Sequence, residues 1–221
     1  MSLTDVITSR TRRRLADTAH RGWQWIQTVA QVTPHTRLGQ RFGHFGAGSC
    51  MVFPFGTVFG EPWIHVGENT ALGQHCSLSA GLVPGLELGP DPIVRIGDNC
   101  KIARGSHIVG HHSLEIGDYV ITGPYVYITD QNHTYDDPEL PIDWQWPTEK
   151  PVRIGSGSWL GAGVVVLPGA VLGKHVVVAA GSVVRGEFPD YCVIAGAPAR
   201  VVRRYVPGEG WQRPAPELHL D

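Results

Sequence analysis

The stretch IGSGSWLGAGVVVLPGAVLGKHVVVAAGSVVR, residues 154–185, repeats every six residues. The same place in each unit holds a large aliphatic residue: Ile154, Leu160, Val166, Leu172, Val178 and Val184. A small or β-branched residue follows four places later, and most units have glycine or alanine directly after the aliphatic residue. A period of six does not match the 3.6 residues per turn of an α-helix, but it matches a short strand followed by a turn.

One unit of this kind cannot bury its aliphatic side chain, whereas a stack of units can. The repeat therefore predicts an all-β fold, a single-stranded parallel β-coil with glycine at its tight corners. The same frame is present upstream, at Val66, Leu72, Leu78, Ile96, Ile102, Ile108, Ile116, Thr122 and Ile128. Because Ile96 follows Leu78 by three full units, the segment 80–92, rich in proline and glycine, is interpreted as a loop that replaces coil units.

The frame and its interruptions divide the chain. Residues 1–40 carry apolar residues at helical spacing and are predicted to form one or two short helices. Residues 41–205 are predicted to form the coil, with a protruding excursion loop at 129–152, and residues 206–221 a loosely held tail. Long excursions from a rigid scaffold often carry functional residues.

Composition excludes several classes of protein. With 221 residues and 42% hydrophobic content, the chain is too apolar for disorder and long enough for a complete core. A formal net charge of -2 gives no basis for nucleic-acid binding. No apolar run is long enough to cross a bilayer and the N-terminus lacks the apolar core of a signal peptide, so no membrane insertion and a cytoplasmic location are expected.

The four cysteines are interpreted as structural residues, without a metal-binding or redox role. The cysteines are far apart and form no CxxC pair: Cys50, Cys76, Cys100 and Cys192. An N-terminal basic cluster contains Arg10, Arg12, Arg13 and Arg14. It is interpreted as a solvated helix face, with contact to an anionic lipid surface as one alternative and packing of the segment on the coil end or a neighbouring subunit as another.

Two runs, WLGAGVVVLPGAVLGKHVVVAAGSVV at 159–184 and PDYCVIAGAPARVVR at 189–203, resemble the hexapeptide-repeat acyltransferases, especially the galactoside, maltose and nodulation acetyltransferase branch. The similarity covers about residues 66–205. It implies a left-handed parallel β-helix, an exception to the right-handed crossover rule. It also implies a homotrimer that transfers an acetyl group from acetyl-coenzyme A to a sugar or another small acceptor without a metal.

The excursion starts with the sequence TDQNH, and the resemblance implies that its histidine, His133, is the catalytic base. Imidazole has a pKa near ~6.5, so it accepts a proton at neutral pH and returns it. In this hypothesis the imidazole takes a proton from the acceptor hydroxyl, whose oxygen attacks the thioester. Asp130 and Asn132 are candidates for orienting the imidazole or binding the acceptor, with packing of the loop as the alternative. A solvated loop histidine is the alternative.

Acceptor contacts are expected from other residues near the loop. Trp144 and Trp146 are candidates for stacking on a sugar or an apolar group, or for packing the loop. The asparagine and aspartate that hold a sugar hydroxyl in the galactoside branch fall here on Ala103 and His111, and neither preserves those hydrogen bonds. His111 is a candidate substrate residue, and the acceptor, the acylated atom and the acyl length stay open.

The resemblance also implies residues for the coenzyme. Trp159 would lie beside the pantetheine arm, and Ala162 and Ala180 would let the arm approach the main chain. Three arginines near the end of the coil suit the coenzyme phosphates: Arg185, Arg200 and Arg203. Ordinary wall, corner or surface residues are the alternative at each position.

Two other hypotheses remain. His107 and His112, with His75 upstream, are similar to the metal-binding histidines of the gamma-class carbonic anhydrases, which are also trimers of hexapeptide coils. Three histidines and a water would form an open zinc site, although the upstream spacing does not match that family. The other hypothesis is a non-catalytic coil retained for assembly.

Overall fold

A computed structural model describes residues 9–214 of the chain. Short strands follow one another around a coil, and successive strands belong to successive sheets. Within the coil, strands pair in parallel with the strands of the neighbouring coils, as in the pairing of Leu160 with Val178 eighteen residues later. The predicted all-β parallel coil is confirmed.

Three sheets form the faces of the coil. The first sheet contains β1 (His44–Phe45), β4 (Ile64–Val66), β7 (Val94–Ile96), β10 (Leu114–Ile116), β15 (Val152–Ile154), β18 (Val171–Leu172) and β21 (Glu187–Phe188). The second contains β2 (Cys50–Met51), β5 (Ala71–Leu72), β8 (Lys101–Ile102), β11 (Ile121–Thr122), β16 (Trp159–Leu160), β19 (Val177–Val178), β22 (Cys192–Gly196), β23 (Ala199–Val206) and β24 (Gly210–Gln212). The third contains β3 (Val58–Phe59), β6 (Ser77–Ala80), β9 (His107–Gly110), β12 (Tyr127–Thr129), β17 (Val165–Val166) and β20 (Val183–Val184).

The repeated aliphatic residues point into the coil and form its core. All six between 154 and 184 are buried, with at most 1% of their surface exposed. Since every coil stacks its aliphatic residues on those of the previous coil, one continuous core runs through the structure.

Close stacking of the coils explains the glycines that directly follow the aliphatic residues. A Cβ atom at Gly161 would lie 2.5 Å from the backbone nitrogen of Ala180 in the next coil. The tight turn itself is made two residues later, where Gly163 has a φ of 67°. The prediction that the first glycine serves the turn is therefore incomplete, because at that position glycine is needed for the close approach of two backbones.

The segment between Leu78 and Ile96 does not replace coil units, contrary to the sequence interpretation. These residues lie on β6 and β7, which are consecutive strands of the coil. Val66 pairs with Ile96, so the residues between β6 and β7 loop out at one corner. The loop preserved the six-residue frame because the number of residues it adds is a multiple of six.

All long insertions occur at one corner, between the third sheet and the first, which we call the loop corner. They follow β6, β9 and β12 and comprise residues 81–93, 111–113 and 130–151. The last insertion contains a short antiparallel pair, β13 (Gln131–Asn132) with β14 (Thr148–Glu149), and a 3-10 turn at Ile142–Trp144. Parallel stacking of the strands therefore brings these insertions to the same edge of the molecule.

The N-terminal segment forms one helix, α1 (Ser9–Val29). Its C-terminal end is held to the coil, since Val32 exchanges two backbone hydrogen bonds with Met51. The ring of Trp23 lies 6.3 Å from that of Phe53. Within residues 9–214, none of the helices combines the length and apolarity that a membrane crossing needs.

At the other end, the chain reverses direction and closes the second sheet. β23 pairs antiparallel with β22, and β24 pairs antiparallel with β23. The sheet continues to Gln212, inside the segment predicted to be a loose tail. Residues 215–221 lie outside the described residues.

Candidate active site

The base of the excursion loop is held by Asp130, whose side chain has no exposed surface. One carboxylate oxygen accepts a hydrogen bond from the amide of His111 at 2.7 Å. The other accepts from the amides of His112 and Ser113 at 2.8 and 2.7 Å. The Asp130 carbonyl also accepts from the amide of Lys150 at 2.8 Å, so one residue joins both ends of the loop and the neighbouring insertion.

His111 contacts the same loop through its side chain. Its Nδ1 lies 3.5 Å from Oε1 of Glu149, and the His111 side chain is only 6% exposed. Glu149 lies on β14, opposite Gln131. The structure therefore joins His111 to the loop, and both its amide and its imidazole have partners there.

The side chain of His133 is exposed immediately after β13. Within residues 9–214, no hydrogen bond or ion pair involves its imidazole. Two buried polar atoms nearby in sequence have no partner in the same part of the chain, Oε1 of Gln131 and Oγ1 of Thr134. An exposed imidazole beside unsatisfied polar atoms is suited to proton transfer with a bound hydroxyl compound.

Other loop candidates face solvent. Trp144 and Trp146 are 74% and 77% exposed, so neither packs the loop, as the alternative interpretation required. Asn132 is exposed, and its backbone pairs with that of Thr148. Exposed indoles with no packing role remain available for an acceptor or a neighbouring subunit.

Two predicted coenzyme residues lie on the outer face of the second sheet. Trp159 is half exposed and pairs with Val177. Val177 pairs with Val193, which pairs with Arg203 on β23. Paired residues of neighbouring strands point to the same side of a sheet, so Trp159 and the exposed Arg203 belong to one row.

Ala162 and Ala180 lie one above the other at the corner between the second and third sheets, which we call the alanine corner. The Ala162 carbonyl accepts a hydrogen bond from the amide of Gly181 at 2.8 Å. Among residues 9–214, the amides of both alanines donate to no group. A Cβ atom at Gly163 or Gly181 would meet nothing within 4 Å, so the corner is open to a ligand.

The remaining arginines are exposed at separate places. Arg185 follows β20 at the loop corner of the last complete coil. Arg200 lies on β23, and one of its guanidinium nitrogens donates to the carbonyl of Ala199 at 2.9 Å. Neither forms a salt bridge within the described part of the chain.

One chain does not bring all predicted residues together. The excursion with His133 begins at the loop corner, whereas Ala162 and Ala180 lie at the alanine corner. The third sheet separates the two corners, and its strand with the turn residues around it spans roughly 15 Å. The excursion that carries the proposed base therefore begins at one edge of the third sheet, and the two alanines lie at the other edge.

The histidines of the zinc hypothesis are also dispersed. His75 lies at the alanine corner, His107 on β9 and His112 at the loop corner. In the range 9–214, no three His, Cys, Asp or Glu side chains are grouped so that they could hold a metal ion. The donor set does not fit a three-histidine zinc site, and this hypothesis is not supported.

Cysteine chemistry is disfavoured at Cys76 and Cys100, two of the three buried cysteines in the described part of the chain. Burial raises the pKa of Cys76, and burial is also the main cause of the raised pKa of Cys100. Both therefore remain protonated at neutral pH and are poor nucleophiles. Their sulfurs donate to carbonyls of the neighbouring coil, from Cys76 to Ala103 at 3.3 Å and from Cys100 to Gly117 at 3.1 Å.

Sequence reasoning missed Glu149 and the unpartnered atoms of Gln131 and Thr134. Glu149 lies 38 positions after His111, and only the folding of the loop brings them into contact. The TDQNH run includes Gln131, but no sequence signal shows that its side-chain amide oxygen is buried without a partner. These features depend on how the excursion loop packs against the residues at which it leaves the coil.

Comparison with known families supports the resemblance. Residues 151–186 match the family described as Bacterial transferase hexapeptide (six repeats). This range contains the stretch that defined the six-residue period. The resemblance to hexapeptide-repeat transferases is confirmed.

Two curated relatives carry acetyltransferase names. The chain is 36% identical over 141 residues to the probable acetyltransferase Rv3034c of Mycobacterium tuberculosis, with 64% of this chain and 42% of that protein covered. It is 38% identical over 120 residues to the putative lipopolysaccharide biosynthesis O-acetyl transferase WbbJ of Escherichia coli, covering 51% and 61%. The chain thus spans less than two thirds of either relative.

A solved structure shows the same fold. A mutant of AntD, an N-acyltransferase from Bacillus cereus in complex with dTDP and coenzyme A, superposes with a TM-score of 0.63 and 18% identity. The superposition covers 77% of this chain and 89% of AntD. At this identity the similarity concerns the coil architecture.

Proposed function

We propose that this protein is an O-acetyltransferase that moves an acetyl group from acetyl-coenzyme A to a hydroxyl of a saccharide or a related small acceptor, with His133 as the general base. The observation that carries the proposal is an imidazole with two free nitrogens, exposed on a loop whose base is tied to a rigid coil. The acetyltransferase names of both curated relatives support the same reaction class.

The proposed reaction needs only proton transfer and displacement. The imidazole of His133 takes the hydroxyl proton while the acceptor oxygen attacks the thioester carbonyl carbon. The tetrahedral oxyanion collapses, the carbon–sulfur bond breaks, and the imidazolium returns the proton to the leaving thiolate. The products are an acetyl ester and free coenzyme A. A positioned general base contributes roughly 10² to 10⁴ in rate.

Asp130 is assigned the structural role, which was the alternative to orienting the imidazole or binding the acceptor. Its buried carboxylate already accepts three amide hydrogen bonds, and these leave little capacity for an acceptor hydroxyl. We assign Asp130 to positioning the loop that carries His133. Asn132, His111 and Trp144 remain proposed acceptor contacts, with His111 already engaged by Glu149.

The donor is proposed to follow the alanine corner. The pantetheine arm contains two amide groups, and the undonated amides of Ala162 and Ala180 match their carbonyls. Trp159 offers an exposed apolar wall, and the cations Arg185, Arg200 and Arg203 are proposed for the phosphates. AntD and this chain share the coil, and AntD holds coenzyme A.

The assembly and its surroundings are part of the proposal. Since the excursion with His133 and the two alanines proposed for the pantetheine arm lie at opposite edges of one sheet, a homotrimer in which the loop corner of one subunit meets the alanine corner of another would complete the site. We propose the left-handed coil of the family. Four cysteines without a disulfide agree with a cytoplasmic location.

A panel of hydroxyl and amine acceptors with acetyl-coenzyme A tests the function, with release of free thiol as the readout. We expect free thiol to be released from acetyl-coenzyme A when a saccharide is present. Without an acceptor, no release is expected. Coenzyme A should also raise the melting temperature, because a ligand at about 100 times its Kd stabilises the folded state by about 2.7 kcal/mol. If coenzyme A changes neither the melting temperature nor the release of thiol, the hypothesis of a non-catalytic coil retained for assembly is favoured.

A further inference from the structure

Helix α1 carries an apolar face that the rest of the described chain leaves uncovered. The face consists of Leu15, Trp25, Ile26 and Val29, which we call the apolar helix face. On a helix of 3.6 residues per turn these residues fall within one arc. They are 56%, 66%, 39% and 57% exposed. Uncovered apolar faces of this kind mark sites of interaction with a partner or a membrane.

The helix is attached to the coil along one flank only. Trp23 lies at the edge of the apolar arc and contacts Phe53, and the bridge from Val32 to Met51 anchors the chain just beyond the helix. Apart from Gln27, every residue of the helix from Thr11 to Val29 is exposed. The attachment fixes the helix on the protein while its apolar face stays available.

Charge distinguishes this helix from the rest of the molecule. It contains five arginines and one aspartate, a formal charge of +4, within a chain whose total is -2. The remainder of the chain therefore carries -6. Arg14 and Arg21 border the apolar helix face on the side of Trp25. Guanidinium groups beside an apolar surface can bind anionic head groups while the apolar residues enter the acyl boundary.

We propose that α1 docks the protein peripherally on an anionic lipid bilayer, with the apolar helix face in the interface. A basic amphipathic helix with exposed tryptophans has the composition of a helix that lies in the bilayer surface. The net negative remainder of the chain is repelled by the same surface, so only the helix side is attracted. This placement concerns peripheral contact and is independent of the acetyltransferase proposal.

Pairing with the same helix of a second copy is the competing occupant. It would bring two helices of charge +4 together, which like-charge repulsion opposes, whereas packing on the coil of a neighbouring subunit is distinguished by the sedimentation measurement below. An anionic bilayer offers negative head groups to the arginines of α1 and an apolar boundary to the apolar helix face. The interpretation of the arginine cluster as a merely solvated face does not account for the exposed tryptophan and aliphatic side chains on the other side of the helix.

Vesicle flotation of the full chain tests the proposal. The protein is mixed with vesicles of phosphatidylcholine alone or of phosphatidylcholine with phosphatidylglycerol. We expect flotation only with the anionic vesicles. Raising the salt from about 0.1 M to 1 M shortens the screening length from about 10 Å to about 3 Å and should weaken binding. Absence of flotation with anionic vesicles at low salt would overturn the proposal.

Variants separate charge from apolar contact. Each arginine near an anionic surface contributes a factor of about five, so Arg12→Gln, Arg13→Gln and Arg14→Gln together should weaken binding roughly 100-fold. Trp25→Ser with Val29→Ser should abolish flotation. The matched control, Gln24→Ser with Thr28→Ser on the opposite side of the helix, should float like the unchanged protein.

Two further measurements keep the result decisive. The melting temperature should be unchanged in these variants, because the altered side chains lie outside the core. Sedimentation analysis should show the same subunit number for Trp25→Ser with Val29→Ser as for the unchanged protein. If that variant loses subunits while the unchanged protein fails to float, the face binds a second copy, and the proposal is wrong.

Discussion

The carboxylate of Asp130 accepts a hydrogen bond from the backbone amide of His111 at 2.7 Å and thereby ties the excursion loop to the coil beneath it. Because the Asp130 carbonyl also accepts from Lys150, this residue fixes both ends of a loop of more than twenty residues. His133 follows it by three positions. The placement of the proposed base thus depends on a side chain with no solvent exposure.

Replacing Asp130 should reduce both stability and rate. Asp130→Ala removes three charge-assisted hydrogen bonds and should lower the free energy of unfolding by about 3 kcal/mol, measured by urea denaturation. We expect kcat to fall at least tenfold, since the loop loses its anchor. Asp136→Asn, at an exposed position of the same loop, is the control. Unchanged kcat in Asp130→Ala would argue against the positioning role.

His133→Ala should lower kcat at least a hundredfold, because no other group in the loop is proposed to take the proton. The stabilisation by coenzyme A should remain nearly intact, since the donor contacts lie at the alanine corner. Steady-state rates and melting curves measure the two effects. His35→Ala changes an exposed histidine outside the loop and should be neutral. Retention of a tenth of the rate would rule out His133 as the base.

Gly161→Ala should destabilise the coil by about 1 to 3 kcal/mol, because the new methyl group overlaps the backbone of the next coil. The contact would be 2.5 Å to the nitrogen of Ala180. Gly22→Ala is the matched control, since its Cβ would meet nothing within 4 Å and helix propensity favours alanine. Chemical denaturation of both variants should show opposite shifts. Equal stability of Gly161→Ala would contradict the close approach.

His65 should make stability depend on pH. Its pKa is lowered, first by burial and then by the positive charges of Arg95 and His44. As the pH falls below about 6.5, the unfolded chain therefore binds a proton more readily than the folded chain, and stability decreases. Melting temperatures from pH 7 to pH 5 should fall less steeply in His65→Asn. An unchanged slope in the variant would assign the pH dependence to other groups.

The buried thiols should resist modification in the native protein. Cys76 and Cys100 are at most 1% exposed, and their raised pKa values keep them protonated. A chromogenic disulfide reagent should react with them only after denaturation, while the partly exposed Cys50 reacts first. Cys50→Ser should remove the fast phase. Rapid labelling of Cys76 in the folded protein would show that the coil opens.

The core was predictable from the sequence because a stacked coil repeats one local unit. Residues such as Leu160 and Val178 are buried wherever the period of six places them. The excursion loop could also be predicted from the sequence, since it interrupts that period. The segment after Leu78 was misinterpreted because its length is a multiple of six, and the sequence frame does not distinguish an inserted loop from replaced coil units.

Less of the candidate active site could be predicted from the sequence. His133 was a candidate only through the resemblance of TDQNH to a family motif, and its exposure depends on the fold of the loop. The partnership of His111 with Glu149 joins residues 38 positions apart on separate coils. Assignment of Asp130 to a structural role required knowledge of which amides its oxygens meet. None of these contacts follows from spacing, because they are made across coils and within an irregular loop.

By itself, the sequence determined the repeat, the direction in which its aliphatic side chains point and the position of the interruption, since each depends on residues within one or two units. Only the tertiary structure decided that the insertions share one corner, that Asp130 anchors the loop and that the proposed donor contacts lie across the third sheet. Those relationships depend on the stacking of whole coils. Contacts between stacked coils are set by three-dimensional register. The local sequence therefore does not predict which insertions contact each other.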